Sequence, residues 1–144
     1  MKILVGLDFS TASQALLTVA EQQARSLGAK LFLIHVVAPD PDFVGYEVGP
    51  QSVRDAVAHE YREQHRELQE AADKLRQSNI DATALLVQGA TGQTLLEEAA
   101  KLGVDQLIIG SHGHGAVYDL LVGSVSHWIL QHAFLPVLVV PIRR

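Results

Sequence analysis

Between Gly110 and Ser126 the chain reads Gly110-Ser-His-Gly113, then nine residues, then Gly123-Ser-Val-Ser126. Glycine lacks a Cβ, so a backbone built on it can turn through positive φ or come within hydrogen-bond reach of a ligand. Ser124 and Ser126 fall where a helical pattern begins. The first N–H groups of a helix have no intrahelical acceptor, and its dipole favours negative charge there. The spacing therefore predicts a phosphate-handling loop in which Gly113, Gly123, Ser124, Val125 and Ser126 offer backbone N–H groups and two hydroxyls. The plainer alternative for the same residues is an ordinary loop closed by a serine helix cap. His112 and His114 flank the loop and could lend positive charge or touch a metal, although an H-x-H pair without a third nearby ligand makes a poor metal site.

Other chemistry is missing from the sequence. No Lys or Arg occurs between Lys101 and Arg143, so the glycine loop carries no fixed cation. There is no G-x-x-x-x-G-K-[ST] loop, no G-x-S-x-G elbow and no G-x-G-x-x-G fingerprint. Rapid phosphoryl transfer relies on Lys, Arg and metal to neutralise charge in the transition state. Binding of a phosphorylated ligand is thus better supported than turnover.

These residues need elements to hold them. Lys2 to Asp8 is an apolar run ending in a carboxylate, and Thr11-Ala-Ser-Gln14 has the form of a capping box. Ala15, Leu16, Val19, Ala20, Ala24 and Leu27 follow at helical spacing, with Gly28 as the stop. Leu31 to Val37 is nearly all apolar, as in a parallel strand covered on both faces. Residues 38–50 carry three prolines and two glycines and read as a long loop, a candidate lid. A polar helix is predicted over residues 51–77, with Val53, Val57, Tyr61, Leu68, Ala72 and Leu75 as its apolar stripe and Glu70 paired with Lys74. Ala82 to Gln88 is a third strand, Gly89 to Gly92 a tight turn, and Thr94 to Leu102 a helix stopped by Gly103. Asp105 to Gly110 is a fourth strand, Ser124 to His132 a last helix, and Val137 to Val140 a fifth strand between Pro136 and Pro141. His59, His65, His127 and His132 read as helix-surface residues, and Trp128 as packing.

Strands alternating with helices imply a parallel sheet, and right-handed crossovers leave few ways to wind it. The fold class is therefore α/β, a single doubly wound domain over residues 1–144 with a five-stranded parallel sheet and helices on both faces. The length of 144 residues suits one domain that buries about 68–70% of its unfolded surface. No cysteine is present, which excludes disulfides and thiolate chemistry. A net charge of −5 argues against nucleic acid as the main partner. No run approaches a membrane span and no signal peptide opens the sequence, so the expectation is a cytoplasmic protein with no membrane partner.

Four ordered segments carry a resemblance. Val5-Gly-Leu-Asp8-Phe-Ser10, Leu33-Ile-His35-Val36-Val37, the glycine loop and Pro136-Val-Leu-Val-Val140 resemble the first strand and turn, second strand, nucleotide loop and last strand of the universal stress protein family. The loop matches G-x2-G-x9-G-[ST], the signature of that family's ATP-binding subgroup. The resemblance implies the strand order 3-2-1-4-5, which brings Asp8 and Gly110 to the point where the order reverses, the usual ligand crevice of such sheets. It also implies that Asp8 accepts hydrogen bonds from ribose, that Leu7 and the backbone around Val36 flank adenine, and that Ile109 and Gly110 lie against the ribose. The ligand it implies is ATP, or AMP or another adenine nucleotide, with Mg²⁺ bridging the phosphates. It further implies a homodimer through the C-terminal strand, and a stress or signalling module with at most slow ATP hydrolysis. A nucleotide-independent dimeric interaction module and a genuine ATPase are the alternatives. The family often has Arg where His114 stands, a departure that removes one fixed charge from the loop.

Overall fold

A computed structural model describes residues 1–9, 13–37, 51–112 and 122–142, with the backbone alone for 51–55 and 57. Its elements in chain order are β1 (Lys2–Gly6), α1 (Ser13–Leu27), β2 (Lys30–Val37), α2 (Gln51–Gln77), β3 (Ala82–Gln88), α3 (Thr91–Leu102), β4 (Gln106–Gly110), α4 (Ser124–His132) and β5 (Val137–Val140). The five strands form one parallel sheet in the order β3-β2-β1-β4-β5. The predicted winding and strand order are therefore those observed.

Strand side chains alternate, and that alternation divides the core in two. Ile3, Val5, Leu31, Leu33 and Ile108 face α1 and α2, where Leu16, Ala20, Ala24, Leu68, Ala72 and Leu75 cover them. Leu4, Phe32, Ile34, Val36, Leu107 and Ile109 face the other way, under Leu95, Leu96 and Ala99 of α3 and Ile129 of α4. Both faces of the sheet are thus buried, which explains why its strands read as continuous apolar runs rather than alternating ones.

Helix ends follow local chemistry. Gly28 and Gly103 adopt φ of +63° and +64°, and the residues after them donate back to Ala24 and Ala99, at 3.1 and 3.2 Å. Asn79, with φ of +63°, performs the same task after α2, where the Ile80 N–H reaches the Leu75 carbonyl at 3.0 Å. Asn tolerates the left-handed region better than most residues, so it can stand in for glycine there.

Several details differ from expectation. Helix α3 starts at Thr91 rather than Thr94, because Ala90 is its N-cap and accepts the Thr94 N–H at 2.8 Å. Gly92 thereby lies in a helix instead of a turn, and a Cβ on it would come within 2.7 Å of the Trp128 ring. Strand β4 starts at Gln106, one residue later than predicted, while the Asp105 N–H bonds the Lys2 carbonyl. Ala15 and Leu27 of the α1 stripe are exposed, as is Tyr61 of the α2 stripe. Only Leu68, Ala72 and Leu75 of the latter are buried among its described side chains. Glu70 lies 3.9 Å from Arg66 rather than pairing with Lys74. Thr11 of the capping box, the residue 38–50 loop, Gly113, His114 and the Arg143-Arg144 tail lie outside the described residues.

Candidate functional site

At the carboxyl ends of β1, β2 and β4, a cavity of about 230 Å³ opens between the sheet and the N-termini of α3 and α4. The winding places it there. Successive crossovers run in opposite directions on either side of the β1–β4 pair, so the loops leaving these strands diverge and leave a crevice. Strand β1 and its exit contribute Gly6, Leu7 and Asp8; β2 contributes Ile34, His35 and Val36; β4 and its exit contribute Ile109, Gly110 and His112. Helices α3 and α4 supply Thr91, Leu95, Val125, Ser126 and Ile129, and Leu16 comes from α1.

The β1–β2 end is built from backbone. Pairing of β1 with β2 finishes at Gly6 opposite Ile34, and the Leu7 N–H adds one more bond to the Ile34 carbonyl at 2.8 Å. The Leu7 carbonyl is then met by His35 Nδ1 at 2.8 Å. A carbonyl can only accept, so this nitrogen carries the proton. Leu7 therefore has both backbone groups engaged within the chain while the residue lines the cavity. Val36 lies past the last β1 residue paired to β2, so its β1-facing side borders the cavity. Asp8 is half-buried beside it. Phe9 follows with φ of +60°, an uncommon conformation for a bulky side chain, and its ring lies 4.5 Å from that of His35.

The β4–α4 end is built from a helix terminus. Gly123 is the N-cap of α4, with φ −68° and ψ 166° and no side-chain cap. The N–H groups of Ser124, Val125 and Ser126 follow as the unpaired donors that every helix start presents, while the His127 N–H bonds the Gly123 carbonyl at 2.9 Å. The Ser126 hydroxyl donates to the Gly110 carbonyl at 2.7 Å. Its one proton is therefore used inside the chain, where the sequence suggested a hydroxyl free for a ligand. Neither Gly110 nor Gly123 has positive φ. Close approach is what keeps Gly110 small, since a Cβ there would lie 3.1 Å from Ile142 and 3.3 Å from the His112 carbonyl.

Of the residues singled out from sequence, Leu7, Asp8, Val36, Ile109, Gly110, Val125 and Ser126 all line this one cavity. Gly123 and Ser124 stand just behind it at the start of α4, and Ser124 borders a neighbouring hollow with Gly92 and Trp128. His35, Thr91 and Leu95 went unassigned in the sequence. Nothing in their local pattern marks them, because a helix starting at residue 91 and a ring turned back to the Leu7 carbonyl are products of tertiary contact. No Lys or Arg among the described residues lines the cavity, and a positive dipole end there is the start of helix α4. Among the described residues, no group of three His, Asp, Glu or Cys side chains is placed to hold a metal. Trp128 packs as predicted, over Gly92, and also stacks on His132 with ring centroids 4.0 Å apart. No described helix is long and apolar enough to cross a membrane.

The profile of the Universal stress protein family matches residues 1–141. A Coxiella burnetii protein, Universal stress protein A homolog 2, is 33% identical over 144 residues, covering 99% of this chain and 95% of its own. A Thermus aquaticus universal stress protein is 30% identical over 144 residues, covering 96% of each chain. Among solved structures, one described as a universal stress protein in complex with cAMP superposes with a TM-score of 0.69 at 25% identity, covering 98% of this chain and 96% of that one.

Proposed function

The chain belongs to the universal stress protein family, and from that premise we propose that it binds an adenine nucleotide, with ATP as the ligand and Mg²⁺ bridging its phosphates. The observation that carries this reading is the convergence of Asp8, Val36, Gly110 and the uncapped start of α4 on one cavity. Each matches a different part of a nucleotide. The β1-facing N–H and carbonyl of Val36 present a donor beside an acceptor, the complement of the adenine edge. Asp8 is an acceptor for ribose hydroxyls. Ile109 and Gly110 lie against the sugar, and the N–H groups of Ser124, Val125 and Ser126 receive phosphates, with Gly113 of the same motif. A volume of about 230 Å³ is below the roughly 300–1,000 Å³ of drug-sized sites. That size suits a base and ribose with phosphates lying outside, against the helix.

Catalysis is a lesser part of the proposal. Among the described residues, no Lys or Arg lines the cavity to stabilise charge moving in a transition state, so hydrolysis should fall far below the roughly 1–10³ s⁻¹ of typical enzymes. The module acts in the cytoplasm by being loaded or unloaded, in the manner of a stress or signalling component. Its assembly is a homodimer through β5, an edge strand in which Val137, Leu138 and Val139 are only half-buried and no charged residue interrupts the run.

Native mass spectrometry of the purified protein tests the ligand directly. The expected result is a dimer retaining adenine nucleotide, and titrated ATP should raise the melting temperature by binding the folded state. A protein with no retained nucleotide and no shift with ATP, AMP or cAMP would overturn the binding role, and a monomer at micromolar concentration would overturn the dimer.

A further inference from the structure

Ser111 is buried, 7% exposed, and binds three separate parts of the molecule. Its N–H donates to the carbonyl of Val140, the last residue of β5, at 2.9 Å. Its hydroxyl oxygen accepts the Ile142 N–H at 2.9 Å and also lies in hydrogen-bond contact with His112 Nδ1 at 3.1 Å, and its carbonyl accepts the N–H of Gly123, the N-cap of α4, at 2.6 Å. The residue before it, Gly110, accepts the Ser126 hydroxyl at 2.7 Å and lies under the Ile142 side chain. The first turn of α4 is thus tied at two points to Gly110-Ser111, and that dipeptide is gripped from behind by the segment leaving β5.

We infer that Ser111 is a positioning residue for the phosphate end of the cavity, its hydroxyl holding the post-β5 segment and through it the donors of α4. The inference rests on the proposed nucleotide reading and deepens it. Without the hydroxyl, the partly buried Ile142 N–H loses its acceptor, which costs more than an exposed bond would. The segment then shifts toward water, the pad over Gly110 moves with it, and the carbonyls that locate Gly123 and Ser126 lose their fixed position. Helix N–H groups stabilise an anion only when they are aimed at it beforehand. The base end should be unaffected, since Val36 and Asp8 are held by β1 and β2.

The test is the ratio of ATP to adenosine affinity by calorimetry, in the wild type and in Ser111→Ala. Loss of aim should lower that ratio about tenfold, a factor worth about 1.4 kcal/mol, while adenosine affinity stays within about twofold. A purely structural role would lower both affinities together. A second pair tests the Ile142 hydrogen bond alone, and stands in should Ser111→Ala fail to fold. Ile142→Pro removes the N–H and should reproduce the fall, whereas Ile142→Val keeps both the N–H and the Cγ1 that lies over Gly110 and should not. An unchanged ratio in folded Ser111→Ala, or equal falls in Ile142→Pro and Ile142→Val, overturns the inference and leaves the nucleotide site standing. A wild type that binds ATP no better than adenosine overturns the phosphate assignment and this inference with it.

Discussion

At the β1–β2 end of the cavity, Leu7 and Val36 continue a sheet whose hydrogen bonds are repeated at every step, and His35 closes over the Leu7 carbonyl. At the β4–α4 end, the donors of residues 124–126 are held through four described bonds, made by the Gly123 N–H, the Ser126 hydroxyl, the Ser111 N–H and the Ile142 N–H. The first end is redundant and the second is not. On the proposed nucleotide reading, this division gives a base pocket that exists with or without ligand and a phosphate pocket whose quality depends on a few contacts. Substitutions should therefore separate the two ends, and each substitution below either sharpens that division or abolishes it.

The largest effect is expected from Gly123→Val. Gly123 is buried and its N–H lies 2.6 Å from the Ser111 carbonyl, so a branched side chain must displace either the loop or the helix start. The stabilisation lost with ATP at a hundredfold excess over Kd is about 2.7 kcal/mol. Thermal melts should show no ATP-dependent shift, while circular dichroism of the free protein stays native. A full shift in a folded variant would mean that the phosphates do not sit at α4.

Ser124→Pro comes next and isolates binding from folding. Proline is favoured at the first helical position, and the residue before it must be extended. Gly123, at φ −68° and ψ 166°, already is. The helix should keep its stability while losing one N–H and one exposed hydroxyl. A hydrogen bond to a charged group is worth about 1.5–3 kcal/mol, so ATP should bind at least about tenfold more weakly, with adenosine little changed. Equal losses for ATP and adenosine in this variant would erase the distinction between the ends.

The contrast between the ends also decides what could be read from the chain itself. The strands were legible because buried parallel strands leave an uninterrupted apolar signal, and Asp8 and Gly110 stand out because they fall where such runs stop; the order that brings them together comes from the family resemblance, since the pattern alone does not fix it. The helix-built end was legible as a motif but not in its bonding. Ser126 reads as a free hydroxyl in sequence and is a donor to Gly110 in space, 16 residues away. Ser111 reads as a spacer between glycines, and its role depends on Ile142, 31 residues further on. The start of α3 was misplaced for a related reason. Gly92 is a turn signal by composition, yet here it is the small residue that lets Trp128 approach.

Asp8→Ala tests the strand-built end. Removing an acceptor for ribose should cost about 1–2 kcal/mol, alike for ATP, AMP and adenosine, because all three carry the same sugar. Isothermal titration with the three ligands checks this. A loss confined to ATP would move Asp8 to the phosphate end and overturn its assignment.

The smallest effect is expected from Phe9→Gly, which asks whether the strand-built end owes anything to strain. A left-handed conformation costs a non-glycine residue roughly 1–2 kcal/mol, and glycine at φ of +60° recovers that. The same change removes the Phe9 ring from its place 4.5 Å from His35, and with it an aromatic contact worth about 0.5–1.5 kcal/mol beyond area burial. Half-buried apolar surface against the α1 side of the core is lost as well. The terms oppose each other, so the melting temperature should move little. What changes is the freedom of the turn that carries Asp8, since glycine has more backbone conformations to choose from. Affinity for adenosine and ATP should therefore fall together, and by less than in Asp8→Ala, because the carboxylate is still present and only its preorganisation is weakened. Parallel melts and titrations would show it. If Phe9→Gly leaves both affinities at the wild-type value, the paired strands hold Asp8 unaided. If it lowers ATP affinity alone, the two ends are coupled through β1, and the division drawn between them fails.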